Sequence, residues 1–534
     1  MARLSSISDV VQFKICCWRA RFYLWTSPKK GSSMTIPIKI KCLPEPELQF
    51  SNGRRDVDPR RALATHRPVD YRGLRTIRLG LVGLPEDIVP ARHWIAGLHA
   101  FKPARERNAR RFRDWPNAEK ALGAKFEIDD VFTRKIDRSQ FDQLFRERIS
   151  GTDFDALVEL FENPLTSMFG DVRPDCIVVV IPDALGDLRV QNPQLSARER
   201  KALEILKREE ESAQGDLFAP TDEERAEAEA LRTTAEDLLF RTFYRALKAK
   251  VHKYENAVPI QVLRRSTIDR PEEAGHSQAT RAWNFATALY YKSGGLPWRP
   301  ADLPEGVCFI GISFHHLKKR GGDLVYASVA EAFSSDHEPF CLKGAQIDHD
   351  QRGTDRQPYL NKAQAFSMMR DILHGYEKRT GVKPKRVVVH KTSMYQVEEE
   401  QGFRDGVKGI VPECDLVWLR QTPFRLVRKG SEEPWRGTLC QIEGESYLFT
   451  SGYIPWWDEF PGAHIPAPLQ IGSAGPTDIE ARSKEILTLS KMNWNSSDGI
   501  TKLPVTLLFA KKVGEIMTEL SDNVSPNESF RFHT

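Results

Sequence analysis

The stretch from Val307 to His390 constrains the fold of this chain more than any other. Three β-type runs follow one another at 307–314, 324–332 and 340–347; a helical stretch occupies 362–380, and the short apolar run RVVVH stands at 386–390. Runs this close in sequence pair antiparallel through short turns, whereas the helix carries the chain across to a further strand. The order is therefore three antiparallel strands, a crossing helix and another strand. A helix near 395–405, more strands between Asp415 and Tyr453, and a closing helix at 504–520 extend the same unit.

Upstream the pattern alternates between strand and helix. IRLGLVGL begins a strand at Ile77, and DCIVVVIP (175–182) is a short, wholly apolar run that suits a central parallel strand buried on both faces. A helix at 235–250, a strand at 258–263 and a helix at 277–291 complete an α/β pattern. The Pro/Gly-rich GGLPWRPADLPEG (294–306) marks the boundary between two domains, 75–295 and 300–534. Within the first, residues 195–237 are dense in charge and read as an inserted helical hairpin. Residues 1–74 form an N-terminal extension, of which 34–70, rich in Pro, Gly and Asp, suits an extended arm and 1–33 are read as lying upstream of a start at Met34.

Composition narrows the class. A chain of 534 residues with 40% apolar and 28% charged content is globular rather than disordered, and a net charge of +5 is too small to argue for a polyanionic partner by itself. The eight cysteines show no CxxC pair and no zinc spacing, so they read as small core residues of a reduced, cytoplasmic protein. The run VVQFKICCWRARFYLW is interrupted by Lys14, Arg19 and Arg21 and is too short to span a bilayer. Five arginines between Ala104 and Trp115 read as a solvated face, and most of the tryptophans at 418, 435, 456, 457 and 494 as core.

Chemistry concentrates in FYRALKAKVHKYENAVPIQVL (243–263). Tyr244 and Lys248 are four residues apart and share a helix face; Gln261 follows on a strand, and Lys292 closes the next helix in ALYYKSGG. An aromatic hydroxyl, an amide and two ammonium groups converging on one point would suit a phosphate monoester, whose oxygens want several donors and positive charge. These four residues resemble the 5′-phosphate pocket of the MID domain of Argonaute proteins, including the Lys-x-Gly-Gly after its last helix. The downstream half resembles a PIWI domain, notably in VVVHKTS (387–393) and MNWNSSDGITKLPVTLLFAKKVGEI (492–516). The resemblance covers about residues 75–534 and leaves no segment for an N-terminal or PAZ domain. Together with LPEPELQF and DPRRAL in the arm, that makes the chain similar to short prokaryotic Argonautes. The fold so implied is α/β, a Rossmann-like MID domain followed by an RNase H-like PIWI domain, with an extended N-terminal arm.

A PIWI nuclease needs carboxylates at strand ends to hold two divalent ions. The matching positions here are Ser313, Thr392 and Lys511 or its neighbour Lys512. Hydroxyls are poor Mg²⁺ ligands and an ammonium repels the metal, so no cleavage is expected of this chain. AQIDHDQRGTD (345–355) leaves an alternative, an active guide-directed nuclease using Asp348 or Asp350, against a polar turn. His315 and His316 read as turn residues. A basic groove is expected from Lys318, Lys319, Arg320, Lys391, Lys511 and Lys512. The resemblance implies further a small guide RNA with a 5′-phosphate, a single-stranded DNA target, and a heterodimer with an APAZ-domain effector. That effector would be a TIR or sirtuin-type NAD hydrolase, or a nuclease, acting in defence against plasmids and phage. It also implies a Mg²⁺ ion at the guide phosphate, held with a terminal carboxylate of Thr534. A third reading, from the residues alone, is a nucleic-acid-binding structural protein without guide preference.

Overall fold

The computed structural model describes residues 37–534 apart from 147–148, 192–239, 272–275, 319–323, 334–338, 348–357, 427–432, 463–464, 521–523 and 525–526. The expected helical insertion, residues 1–33, Lys319, Arg320, Asp348 and Asp350 lie outside the described residues, as does the side chain of Lys318.

The arm contributes strand β1 (Ile38–Cys42) and helix α1 (Pro59–His66). Helix α1 interrupts the arm expected to be extended: Asp58 accepts from the Arg60 and Arg61 N–H groups, and Pro59 fills the first turn, where its missing N–H costs nothing. The first half is a parallel sheet of β2 (Arg75–Gly83), β3 (Ala124–Lys135), β4 (Cys176–Ile181) and β5 (Ile260–Arg264), in the order β3-β2-β4-β5. Every residue of β4 is buried, and it lies between β2 and β5, as its unbroken apolar run requires. Helices α2 (Pro85–Ala96), α3 (Gly151–Thr166), α4 (Phe243–Val251) and α5 (Gln278–Lys292) accompany this sheet.

The second half is one mixed sheet. It comprises β6 (Val307–Lys318), β7 (Leu324–Phe333), β8 (Phe340–Ile347), β9 (Arg386–Lys391), β10 (Glu413–Gln421), β11 (Thr438–Ile442), β12 (Glu445–Leu448) and β13 (Leu469–Ala474). With β1 at one end the order of its nine strands is β1-β11-β12-β13-β10-β9-β6-β7-β8. β6, β7 and β8 form the antiparallel meander, and β9 returns parallel to β6 after α6 (Lys362–Thr380). Helix α7 (Val397–Val407) packs on α6, and α8 (Ile479–Leu489) and α9 (Val505–Met517) follow.

Several expectations need correcting. β6 runs on to Lys318, so His315 is a strand residue and not part of a turn. Helix α4 begins at Phe243, because the chain before it, Phe240–Thr242, pairs as a short strand with Arg189–Gln191. β13 and α8 were not expected at all. The arginine run is exposed at Arg105, Arg107 and Arg110, as expected of a solvated face, and turns partly inward at Arg111, which pairs with Glu459 at 2.8 Å.

The arm is fastened by charge. Arg436 and Lys491 are buried, and Glu45 joins them, 3.1 Å from Arg436 Nε and 2.8 Å from Lys491 Nζ. Burial alone would raise the Glu45 carboxyl, but the two cations hold it below its ordinary value. Lys491 also donates to the Pro46 and Val57 carbonyls, both at 2.8 Å. No helix among the described residues is long and apolar enough to cross a membrane.

Candidate functional site

Helix α4 is amphipathic by sequence, with Thr242 capping it at the Arg245 N–H. It buries Phe243, Leu247 and Val251 in the apolar core, and on its remaining face it buries a lysine. Lys248 is 1% exposed; its Nζ donates to the main-chain oxygen of Thr534 and lies 4.8 Å from the centre of the Tyr244 ring. Gln261, on β5, turns its amide towards the end of α5, where Lys292 Nζ donates to Gln261 Oε1 at 2.7 Å. Lys292 is 3% exposed.

These groups surround one cavity of about 380 Å³, lined by Tyr244, Gln261 and Lys292 together with Arg281, Asn495 and Thr534. The structure therefore brings Tyr244, Gln261 and Lys292 together, with Lys248 beneath them. Asn495 and Thr534 come from the second half of the chain, so the cavity lies where the two halves meet. The last residues reach it because Asn527 donates its N–H to His252 Nδ1 at 3.0 Å and the His533 ring stacks on His252 with 4.5 Å between centres.

Electrostatics give the cavity its character. Burial pushes the Lys292 ammonium down to about 7, and the charge of Lys512 adds to the effect. Burial likewise lowers Lys248 well below the ordinary lysine range, with Lys292 and Lys512 contributing repulsion. Lys512, assigned above to a groove, is thus within electrostatic reach of the cavity from α9. No Asp or Glu side chain lines the cavity among the described residues. Cations that have lost water and face no Asp or Glu are stabilised by an incoming anion with several acceptor oxygens.

Sequence reasoning missed Arg281, Asn284 and Asn495. Asn284 Oδ1 accepts from Ser497 N at 3.1 Å and from Ser497 Oγ at 2.7 Å, and Arg60 Nη2 of the arm reaches it at 3.3 Å. The only sequence signal was NWNSSDG, quoted above only as part of the PIWI resemblance. A Mg²⁺ ion wants oxygen ligands and negative charge; Thr534, the expected ligand, lines the cavity with the amides of Gln261, Asn284 and Asn495, and these are the residues that would hold one; no step below runs through a metal.

The second constellation sits on one face of the mixed sheet. Gly311 lies so close under α9 that an added Cβ would meet the Thr506 carbonyl, and one on Gly514 would meet His315. His390 Nδ1 lies 2.9 Å from Thr506 Oγ1. Side chains alternate along a strand, so Ser313 shares this face with Gly311 and His315; Thr392 follows the last residue of β9, in an exposed bend. The last paired residues of β6 and β9 are Ile312 and Lys391, which puts Ser313 beside Thr392. Lys511 projects from α9, exposed, and its charge reaches His315, which burial holds down at about 4. Ser313, buried, and Thr392, exposed, thus follow the last pair of β6 and β9, and Lys511 stands exposed on α9. No group of three His, Cys, Asp or Glu side chains suited to a metal occurs among the described residues.

Lys391 does not belong to a groove. It is 0% exposed, forms an ion pair with the equally buried Glu399 of α7, and lies 5.2–5.3 Å from the ring centres of Tyr395 and Phe314. A lysine beside a buried carboxylate is drawn inward, where the pair compensates the water each has lost. Lys511 is exposed and 3.8 Å from Glu515.

No protein-family model and no curated protein sequence matches the chain. Solved structures do. A Clostridium butyricum Argonaute bound to a guide DNA and a 19-mer target DNA superposes with a TM-score of 0.57 at 15% identity, over 92% of this chain and 54% of that one. A. aeolicus Argonaute gives 0.52 at 15% identity, over 91% and 55%. Drosophila Piwi gives 0.54 at 15% identity, over 92% and 56%. The chain spans about half the length of these proteins, and its mixed α/β architecture is of the Argonaute MID–PIWI type.

Proposed function

We propose that this chain binds the 5′-phosphorylated end of a small guide, RNA on the sequence resemblance, and uses the guide to recognise complementary single-stranded DNA without cutting it. The observation that carries the reading is the meeting of Tyr244, Gln261 and Lys292 around one basic cavity, with Lys248 beneath it. A terminal phosphate there accepts from Lys292 and the Tyr244 hydroxyl, and its charge relieves the repulsion among Lys292, Lys248 and Lys512. A neighbour of the same architecture is a Clostridium butyricum Argonaute bound to guide and target DNA, which supports the same ligand class here.

Contacts to phosphate and sugar position a strand but carry no base information. Sequence is then read by pairing to the held guide, at about 1.4 kcal/mol per stacked step. Silence follows from side-chain chemistry: at Ser313, Thr392 and Lys511 two hydroxyls and an ammonium stand where a two-metal nuclease needs acids. The activity would reside in an APAZ-domain effector bound to this chain and released by target recognition, in defence against plasmids and phage. Such release requires contacts that differ between target-bound and target-free states.

The test uses the full chain with short RNA and DNA strands carrying either a 5′-phosphate or a 5′-hydroxyl. Binding favouring the phosphate by tenfold or more is expected, since each charge-assisted hydrogen bond contributes about 1.5–3 kcal/mol. Equal affinity would leave only a nucleic-acid binder without guide preference. Guide-directed cleavage with Mg²⁺ or Mn²⁺ would overturn the silent reading.

A further inference from the structure

The mixed sheet has two edges, and they are finished differently. At β8 the edge is closed at its start, where Phe340 bridges to Ser529 and the Cys341 N–H donates to the Glu528 carbonyl at 3.1 Å. At β1 no described residue pairs with the outer side. All five residues of β1 are exposed, with Ile38 at 39% and Ile40 at 44%. A strand held by one ladder, with no face in a core, is marginal alone and offers a template to another chain.

The phase of the ladder shows what the open side presents. The Leu43 N–H donates to the Gly437 carbonyl at 2.9 Å, and the Thr438 carbonyl turns the other way, accepting from the Phe449 N–H at 2.9 Å. Hydrogen-bonded pairs alternate along antiparallel strands, so Lys39 and Lys41 turn their amides to β11, and Ile38, Ile40 and Cys42 turn theirs outward. The side chains divide in the same rhythm. Ile38, Ile40 and Cys42 lie on one face; Lys39 and Lys41 lie on the other, where Lys41 pairs with Glu480 at 2.7 Å. A second copy of this chain is a poor occupant. Antiparallel pairing centred on Ile40 would set Lys39 of one copy against Lys41 of the other, and like charges directly opposite destabilise a pair.

We propose that β1 accepts an extended strand of a partner protein, apolar where it meets Ile38 and Ile40 and acidic where it meets Lys39 and Lys41. The strand adds to the sheet through the outward N–H and C=O groups of Ile38, Ile40 and Cys42, and the charges fix its register. The site rests on the reading above only for the presence of a second protein; the open edge is independent of nucleic acid.

The full chain is mixed with a capped, fluorescent peptide of alternating valine and acidic residues, beside a control alternating valine and lysine. Peptide anisotropy and hydrogen exchange of the β1 amides are followed. Binding of the acidic peptide alone is expected, slowing exchange at Ile38, Ile40 and Cys42 by about tenfold or more. Ile40→Pro removes an outward donor and leaves the β11 ladder in place, so it weakens binding about tenfold, as does Lys39→Glu. Affinity for a 5′-phosphorylated strand stays unchanged in both variants. No peptide binding at about millimolar concentration overturns the proposal, and so does equal binding by Ile40→Pro. Outward amides already as protected in the free chain as those of Lys39 and Lys41 also overturn it, because the edge is then occupied by the chain itself or by a second copy. Loss of guide preference with peptide binding intact sinks the guide reading and leaves this one standing.

Discussion

Lys292 is the residue at which burial and binding conflict most openly. Burial brings its ammonium down to about 7, so a bound phosphate, by favouring the charged form, raises that value and the complex takes up a proton. The affinity this charge contributes is fully present below pH 7 and is lost as pH rises through the higher value of the complex. The Kd of a 5′-phosphorylated strand should therefore rise by up to about tenfold per pH unit above 7, while that of a 5′-hydroxyl strand stays flat, measured by filter binding. Fold stability runs the other way. The unfolded chain, with this lysine near its ordinary 10.5, binds more protons between pH 7 and 10, so the Lys292 contribution favours the folded state increasingly as pH climbs through that window. Lys292→Met should accordingly raise the melting temperature and weaken binding of the phosphorylated strand about 10–100-fold. A melting temperature that falls with unchanged affinity would make Lys292 a structural residue.

At the scale of elements, α9 joins the two constellations, for Lys511 and Thr506 face the Ser313 region while Lys512 acts on the cavity lysines. The close approach of α9 to β6 depends on Gly311, whose missing Cβ leaves room for the Thr506 carbonyl. Gly311→Ala should lift the helix and destabilise the protein by about 1–3 kcal/mol in chemical denaturation, with weaker guide binding as α9 shifts. The elements that sequence showed best, β6 to β9 and α6, have apolar patterns matching their burial. β13 was hidden because LQIGSA offers only Leu469 and Ile471 as buried apolar residues, and α8 because its pattern does not match its burial. α8 buries Arg482 and Glu485 as an ion pair at 2.9 Å, so its inward face looks like a solvated one. Lys391 misled for the same reason, since no pattern in VVVHK announces that Glu399 waits on the next helix. The cavity was legible as four side chains through their resemblance to the MID pocket; spacing alone put only Tyr244 and Lys248 on one helix face. Asn284 and Asn495 were not, being brought in by contacts between distant segments.

For the molecule as a whole, one apolar core runs through both halves, from Leu79 and Val178 in the parallel sheet to Phe309, Val388 and Leu507 in the mixed one. A single cooperative unfolding transition is expected by calorimetry, with the arm taking part, and two resolved transitions would show that the halves are separate folding units. Glu45→Gln leaves Arg436 and Lys491 buried without their carboxylate and should cost about 3–5 kcal/mol, exposing residues 43–60 to limited proteolysis. The contact between Thr534 and Lys248 also sets which parts of the chain must be present together. Tyr244 to Lys292 belong to the first half and Asn495 and Thr534 to the second, so either half alone holds only part of the chamber. Capture of a guide end thereby reports assembly: a chain nicked between the halves should keep its affinity only while the two pieces stay associated.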